Sequence, residues 1–183
     1  MTNKKRRYTL DTNILIYAID NTAGKKHQQA IDIVNKAIFQ DCILTLQVLG
    51  EFYFASTRKG KMPIEQAEQQ VNNWQMLFPV VAATPECIND GMTLTRQHLL
   101  SFWDALLLVT AKNNEVTHIL SEDFQDGIIL EEVTVINPFN IDNLFEEKKV
   151  STVLYSIRCA PIIITGQIYL HNNQYSNNEY SNN

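Results

Sequence analysis

Short apolar runs alternate along most of the chain with longer segments of helical periodicity. Apolar runs without polar alternation are typical of parallel strands that are covered on both faces. We therefore predict an α/β protein, a three-layer α/β/α sandwich with a central, mostly parallel sheet. The predicted strands cover residues 8–10, 42–45, 79–83, 118–121 and 133–137.

Six segments between these runs have the periodicity of helices. In the second of them, apolar residues recur on one helical face from Ala30 to Ile38. Thr45 and Ser101 stand where N-caps are expected, and Pro63 stands where a first helical residue is expected. The sequence "NTAGKK" is predicted to be a turn. The predicted helices cover residues 13–18, 26–39, 46–58, 63–77, 85–99 and 101–113.

The character of the sequence changes near residue 148. The 183 residues suit one domain with an appended tail, and we place the domain at residues 1–147. In the extension, residues 148–183, "VSTVLYSIRCAPIIITGQIYL" has the pattern of a hairpin, whereas "HNNQYSNNEYSNN" is Asn-rich and has the composition of a disordered segment. No chemistry is evident in this extension, and its role is open.

The charge balance excludes a protein that binds nucleic acid through an overall positive charge. The formal net charge is −5, so any contact with nucleic acid must use local patches. Basic residues cluster at Lys4–Arg7, at Lys25 and Lys26, and at Arg58, Lys59 and Lys61. Such runs are usually solvated surface and are weak evidence by themselves.

The cysteines and the apolar stretches indicate a cellular compartment. Cys42, Cys87 and Cys159 are odd in number and form no C-x-x-C pair, which favours a reducing environment. Acidic and amide residues interrupt the apolar region near the N-terminus, which argues against a signal peptide. No apolar stretch reaches the length of a membrane span. We therefore expect a cytoplasmic protein that does not enter a membrane.

Acidic residues lie beside four apolar segments of the predicted sandwich. Asp11 ends the first strand, Glu51 and Asp104 lie on helices, and "SED" at 121–123 follows a later strand. Each acid has an ordinary explanation: Asp11 and Asp104 suit helix caps, and acid clusters are common in loops. Glu51 is unusual because residues 52–55 are apolar, so we expect little of its helix to face water.

The carboxyl ends of parallel strands meet at one edge of a sheet, where sites form in the crevice at which strand order reverses. Carboxylates gathered there repel one another, and a divalent cation compensates this repulsion. Mg²⁺ and Mn²⁺ prefer oxygen ligands, and such a site suits hydrolysis of phosphate esters. We expect His27, His98, His118 and His171 to be surface or structural residues, because no His lies in the acidic segments.

Four motifs in this order and spacing resemble the PIN-domain family, and most closely the VapC-type toxins of bacterial toxin–antitoxin pairs. The motifs are "LDTNILIYAID", "LQVLGEFYFAS", "SFWDALLLVTA" and "ILSEDFQDG". The resemblance covers about residues 8–139. It implies a ribonuclease with one or two Mg²⁺ or Mn²⁺ ions, an RNA substrate, an antitoxin partner and a homodimer.

The resemblance also implies site residues. It assigns the catalytic and metal-binding acids to Asp11, Glu51, Asp104 and Asp123, with Glu122 and Asp126 as alternatives for the fourth position. Asn13 and Ser121 are implied to support these acids. Arg58, Lys59 and Lys61 are candidates for holding the RNA backbone.

Three other readings stay open at this point. A haloacid-dehalogenase-type phosphatase also has an Asp after its first strand, but it needs a second acid where this chain has Asn13. A binding module without catalysis would use the acids as caps and loop formers. A PIN-like nuclease of RNA processing, or one that acts on DNA, would keep the chemistry without the toxin role.

Overall fold

A computed structural model describes residues 5–58, 62–141 and 144–145 of the chain. The predicted extension, residues 148–183, lies outside the described residues. Two short 3-10 helices cover Asn21–Ala23 and Pro138–Asn140. The strands are β1 (Tyr8–Leu10), β2 (Cys42–Thr45), β3 (Val80–Val81), β4 (His118–Leu120), β5 (Ile129–Leu130) and β6 (Val133–Ile136). The helices are α1 (Thr12–Ile19), α2 (Lys25–Ala37), α3 (Leu46–Arg58), α4 (Ile64–Leu77), α5 (Pro85–His98) and α6 (Phe102–Asn113).

The strands form one sheet in the order β3-β2-β1-β4-β6-β5. The first five strands of that order pair in parallel, and Leu10 of β1 lies opposite Leu120 of β4. Among the strands of the described residues, only β5 runs antiparallel, as the partner of β6. The predicted α/β class with a mostly parallel sheet is therefore confirmed.

The strand order reverses between β1 and β4. From β1 the chain moves outward to β2 and β3, then returns to place β4 on the other side of β1. Right-handed crossovers put α1 to α4 on one face of the sheet and α5 and α6 on the other. In agreement, α1 packs against α2 and α3, α3 packs against α4, and α5 packs against α6. The crevice expected for a site thus lies beyond the carboxyl ends of β1 and β4.

The core lies on both faces of β1 and β4 and is almost entirely apolar. Leu10, Ile119 and Leu120 are fully buried in the sheet, and α6 is buried from Ala105 to Ala111. Because α6 is enclosed along this length, only its first turn and its last residues reach solvent. Across the described residues, no helix is both long and apolar enough to span a membrane.

Three side chains cap helices at the carboxyl edge of the sheet. Asp11 accepts a hydrogen bond from Thr12 N at 2.6 Å, and Thr45 Oγ1 accepts one from Val48 N at 3.2 Å. Ser101 Oγ accepts one from Asp104 N at 3.1 Å. These caps were expected from the sequence, and each satisfies an amide that the first turn leaves unpaired.

Several helix boundaries differ from the prediction. The helix α1 begins at Thr12, because Asp11 caps it there, and the "NTAGKK" segment contains a 3-10 helix and the start of α2. Pro63 is the N-cap of α4 and not its first residue, because its ψ of 151° is extended. Leu99 follows α5 in a left-handed conformation with φ 56°.

One expectation about exposure was wrong, and one strand was not predicted. The helix α3 faces water more than we expected: Tyr53 is 37% exposed and Phe54 is 57% exposed, while Phe52 packs inward on Trp74. The strand β5 was not predicted, because two residues give no periodic signal.

Candidate active site

Asp11 stands at the carboxyl end of β1 and is 8% exposed. Its Oδ1 accepts the capping hydrogen bond from Thr12 N. Its Oδ2 accepts a hydrogen bond from Ser121 Oγ at 2.5 Å, and Ser121 follows the neighbouring strand β4. The carboxylate is therefore fixed from both strands at the point where strand order reverses.

Asn13 joins the ends of β1 and β4 through its side-chain amide nitrogen. Nδ2 lies 3.3 Å from Asp11 Oδ2, 3.3 Å from Ser121 Oγ and 3.1 Å from Asp123 Oδ2. Two carboxylates converge on this nitrogen, which is the orientation that charge favours, since the amide oxygen would be repelled there. Asn13 Oδ1 is buried without a hydrogen-bond partner. Asn13 therefore fixes the relative position of Asp11 and Asp123.

Glu51 of α3 is held to the same edge by two uncharged donors. Thr12 Oγ1 donates to Glu51 Oε2 at 2.8 Å, and Gln47 Nε2 donates to Glu51 Oε1 at 2.9 Å. The same nitrogen of Gln47 also donates to the backbone oxygen of Trp103 at 2.9 Å. Gln47 thus connects the helix that carries Glu51 to the first turn of α6, which carries Asp104.

The pKa of Asp11 is affected by burial and by two of the other acids. Burial raises the pKa of Asp11 to about 6 from an ordinary value of 3.8. The hydrogen bonds from Ser121 and Thr12 lower this pKa, and the negative charges of Asp123 and Asp104 raise it further. Burial and the repulsion from two other acids raise the free energy of the charged Asp11 carboxylate, and a bound cation would lower it.

The loop after β4 separates its three acids. Asp123 faces Asn13, and its backbone N–H donates to Ser121 Oγ at 3.1 Å. Glu122 turns away and accepts hydrogen bonds from Tyr17 Oη and Lys26 Nζ, so its carboxylate is already paired. Asp126 accepts from Asn137 N at 2.8 Å. This geometry favours Asp123 as the fourth acid of the site.

The acids fit a hydrated cation better than a closed metal cage. Within the described part of the chain, no three His, Cys, Asp or Glu side chains converge tightly enough to enclose a metal ion. All four candidate ligands are carboxylates, however, and Mg²⁺ typically keeps several waters and binds one or two carboxylates directly. The crowding that raises the pKa of Asp11 and the oxygen-only donor set both suit such an ion.

The proposed basic contacts are not gathered at this edge. Arg58 ends α3 and lies over the ring of Phe54 at 5.1 Å, about 10 Å along the helix axis from Glu51. Lys59 and Lys61 lie outside the described residues. Lys5 and Arg7 precede β1 and pair with Asp41 at the opposite edge of the sheet.

Four residues that position the site were missed in the sequence: Thr12, Gln47, Tyr17 and Lys26. Gln47 carries a readable signal, because it precedes Glu51 by four residues and therefore shares its helix face. Thr12 adjoins Asp11, but nothing local indicates its bond to α3. The pairing of Lys26 with Glu122 joins positions 96 residues apart and has no local signal.

A groove of about 510 Å³ lies between α3 and α4, beside the site. It is lined on α3 by Leu46, Leu49, Gly50 and Tyr53, and on α4 by Val71 and polar residues. None of the four candidate acids lines it. Exposed apolar surface of this kind is typical of contacts with another protein.

Solved structures of similar fold include toxins and toxin–antitoxin complexes. VapC20 of Mycobacterium tuberculosis, described as a sarcin-ricin loop cleaving toxin, matches with a TM-score of 0.51 and 16% identity over 63% of this chain and 91% of its own. A toxin–antitoxin complex from Klebsiella pneumoniae matches with a TM-score of 0.52 and 16% identity over 72% and 97%. DNA-bound VapBC from Salmonella typhimurium matches with a TM-score of 0.54 and 11% identity over 71% and 96%.

These identities are low, so the structural likeness establishes the fold alone. No curated protein sequence matches the chain. The sequence model of the PIN domain matches residues 8–125, which is more than half of the chain and includes Asp11, Glu51, Asp104 and Asp123. PIN domains are generally nucleases and generally use divalent metal ions. The motifs, the reversal of strand order and this match lead to one conclusion: the chain belongs to the PIN domain family.

Proposed function

We propose that this protein is a metal-dependent endoribonuclease that hydrolyses RNA phosphodiester bonds and serves as the toxin of a toxin–antitoxin pair. The observation that carries the proposal is Asp11, a buried carboxylate whose pKa is raised to about 6 by burial and by Asp123 and Asp104. Carboxylates are brought together in this way where a cation is to be bound. Membership of a family whose members are generally nucleases supports the same reaction class.

In this proposal the four acids have different tasks. Asp11 and Asp104 bind Mg²⁺ or Mn²⁺ directly, and Asp123 and Glu51 bind it directly, through water, or as ligands of a second ion. Asn13 and Ser121 hold Asp11 and Asp123 in register, and Thr12 and Gln47 hold Glu51. When bound, the cation supplies a lowered pKa for a water molecule and neutralises charge on the phosphate.

The partner of the toxin is proposed from the comparisons and from the surface. Toxin–antitoxin complexes are among the structures of similar fold. The groove between α3 and α4 and the exposed rings of Tyr53 and Phe54 offer apolar surface for a protein contact. We infer an antitoxin and a homodimer, both in the cytoplasm, where an RNA substrate is found. Light scattering of the purified chain measures the oligomeric state.

The deciding experiment is an RNA cleavage assay with the full chain freed of any bound partner. A mixed panel of RNAs is incubated with Mg²⁺, Mn²⁺ or EDTA. We expect cleavage with either metal, none with EDTA, and none by Asp11→Asn. Asp126→Asn is the matched control, because this acid lies in the same edge loops but bonds Asn137 N outside the cluster. It should cleave at a rate close to that of the wild type.

Different outcomes separate the parts of the proposal. If a folded wild-type chain cleaves no RNA with either metal, the ribonuclease assignment is wrong. If Asp126→Asn loses activity as fully as Asp11→Asn, the assignment of the site is wrong. If RNA is cleaved but expression of the wild type does not arrest growth, the nuclease stands and the toxin role is rejected.

A further inference from the structure

Trp103 presents an exposed aromatic ring at the edge of the sheet where the acids lie. It occupies the first turn of α6, directly before Asp104, and is 58% exposed. The following residues of α6 are buried through Ala111, so the exposed part of Trp103 lies at the acid end of the helix. Its backbone oxygen is bonded to Gln47 Nε2, which also bonds Glu51. Trp103 therefore adjoins Asp104 in sequence and is linked to Glu51 through Gln47.

Trp103 contributes little to the packing of the core. The ring contacts Phe102 edge-on, with centroids 5.5 Å apart, and more than half of the residue is exposed to solvent. Four residues earlier, Leu99 is 94% exposed and has φ 56°, a conformation that costs a non-glycine residue free energy. Two large apolar side chains thus flank the start of α6 without contributing to the core. Leu99 is the C-cap of α5, which accounts for its backbone conformation, so the exposed ring of Trp103 is the candidate binding surface here.

The charge at this edge limits how RNA can be held. The site is acidic, and the chain carries a net charge of −5. Lys26 near this edge is paired with Glu122, Arg96 lies in the last turn of α5 before Leu99, and Arg58 lies at the far end of α3. A contact that does not depend on charge would add to any phosphate contacts that these residues make. Stacking of a base on an aromatic ring supplies affinity without charge, about 1 to 3 kcal/mol per base.

We propose that Trp103 is a stacking platform for an unpaired base of the RNA, next to the phosphodiester that is cut. This inference rests on the proposed ribonuclease function and adds one substrate contact to it; the contact requires a base that is free to stack, as in single-stranded or loop RNA. A duplex cannot offer such a base. The platform is sequence-tolerant because every base has a flat aromatic face. Trp103 does not line the groove between α3 and α4, so it is separate from the surface offered to a protein partner.

The chain has a built-in probe for this contact. It contains two tryptophans, and the other, Trp74, is fully buried against Phe52. Quenching of tryptophan fluorescence by RNA therefore reports on Trp103. The titration uses the full chain with Asp11→Asn and Mg²⁺, so that RNA is bound without being cut. The probes are a single-stranded RNA and copies of it with one abasic site at successive positions.

We expect the intact RNA to quench fluorescence and one abasic position near the cut to abolish the quenching. Trp103→Ala should weaken RNA binding about tenfold, which corresponds to about 1.4 kcal/mol. In this variant, the abasic site at that position should cause no further loss of affinity. Trp103→Phe should bind within a few fold of the wild type. Phe39→Ala is the matched control, because Phe39 is 54% exposed and lies before β2, at the opposite edge of the sheet from the acids. Native emission from Trp74 verifies that Trp103→Ala is folded.

Three results would overturn the inference. Binding that is unchanged in Trp103→Ala, an abasic effect that persists in Trp103→Ala, or equal binding of duplex RNA each contradicts stacking. If Trp103→Ala loses a protein partner but keeps RNA affinity and KM, the ring is a protein contact. In all of these cases the wild type still cleaves RNA, so the proposed function stands. If the wild type neither binds nor cleaves any RNA, the proposed function itself fails.

Discussion

Thr12 and Glu51 are joined by a hydrogen bond of 2.8 Å between Oγ1 and Oε2, which links the first residue of α1 to the acid of α3. The bond crosses from the helix that follows β1 to the helix that follows β2. Glu51 receives its second hydrogen bond from Gln47, so both of its carboxylate oxygens are held by uncharged groups. This acid is therefore oriented before any ligand arrives.

Thr12→Val tests this orientation, because valine keeps the shape of threonine and removes only the hydroxyl. Residues that orient a metal ligand typically contribute 10- to 100-fold to metal affinity or activity, so we expect a loss of about that size. Stability should change by no more than about 1 kcal/mol. Thr12→Ser retains the hydroxyl and should cleave RNA nearly normally. Mn²⁺ titration and cleavage rates measure both effects, and equal metal affinity in Thr12→Val would contradict the role.

Asp11→Asn should make the metal-free protein more stable near neutral pH. The pKa of Asp11 is about 6 in the folded chain, above its ordinary value of 3.8. Its contribution to stability is therefore fully present below about pH 4 and is lost as the pH rises through about 6. A shift of about two pKa units corresponds to about 3 kcal/mol, so the variant should gain about that much near pH 8 and nothing near pH 4. Urea unfolding in EDTA measures the difference.

Metal should reverse this order of stability. A cation favours the charged carboxylate, so Mg²⁺ or Mn²⁺ should raise the Tm of the wild type at about pH 8 and leave Asp11→Asn almost unchanged. The rise should weaken at about pH 5, where Asp11 holds a proton. A metal-induced rise of equal size in the variant would show that Asp11 is not a ligand.

Glu122 and Asp123 are neighbours whose substitution should have opposite effects. Asp123→Asn should reduce cleavage about 100-fold or more with little loss of stability, because its carboxylate lies in the acid cluster. Glu122→Gln should cost about 1 to 3 kcal/mol of stability, because it weakens the contacts with Tyr17 and Lys26 that pin the loop. Its activity at low temperature should remain within about tenfold of the wild type. The reverse pattern would make Glu122 the fourth acid.

Much of the fold could be predicted because its signals are local. Uninterrupted apolar runs identify β1, β2 and β4, and the caps at Thr45 and Ser101 mark where α3 and α6 begin. The exposure of Tyr53 and Phe54 could not be predicted, because the sequence alone does not distinguish an exposed aromatic side chain from one in the core. For residues 1–4, 59–61, 142–143 and 146–183, only expectations from the sequence stand.

Part of the candidate site could also be predicted from local sequence signals, and part of it could not. Motif spacing brought Asp11, Asn13, Ser121 and Asp123 to attention, and the structure places them in one hydrogen-bonded group. Whether Glu122, Asp123 or Asp126 faces this group depends on which side of the β4 loop each residue occupies. That is decided by Tyr17, Lys26 and Asn137, which are distant in sequence. Their roles at the site remain predictions for the assays above.

The turn between β5 and β6 stores strain that a single substitution should relieve. Glu131 and Glu132 form its two central positions, with φ of 51° and 67°, while Leu130 pairs with Val133. Hairpin turns with two positive φ values favour Asn and Gly at these positions. Glu132→Gly should therefore raise stability by about 1 kcal/mol and leave the Lys112–Glu131 pair intact. Gly127→Ala is the reciprocal control: Gly127 has φ 76° and open space around it, so only backbone strain is added, and stability should fall. Urea unfolding of the two variants measures both changes, and a loss of stability in Glu132→Gly would show that the turn is held by contacts of the Glu132 side chain.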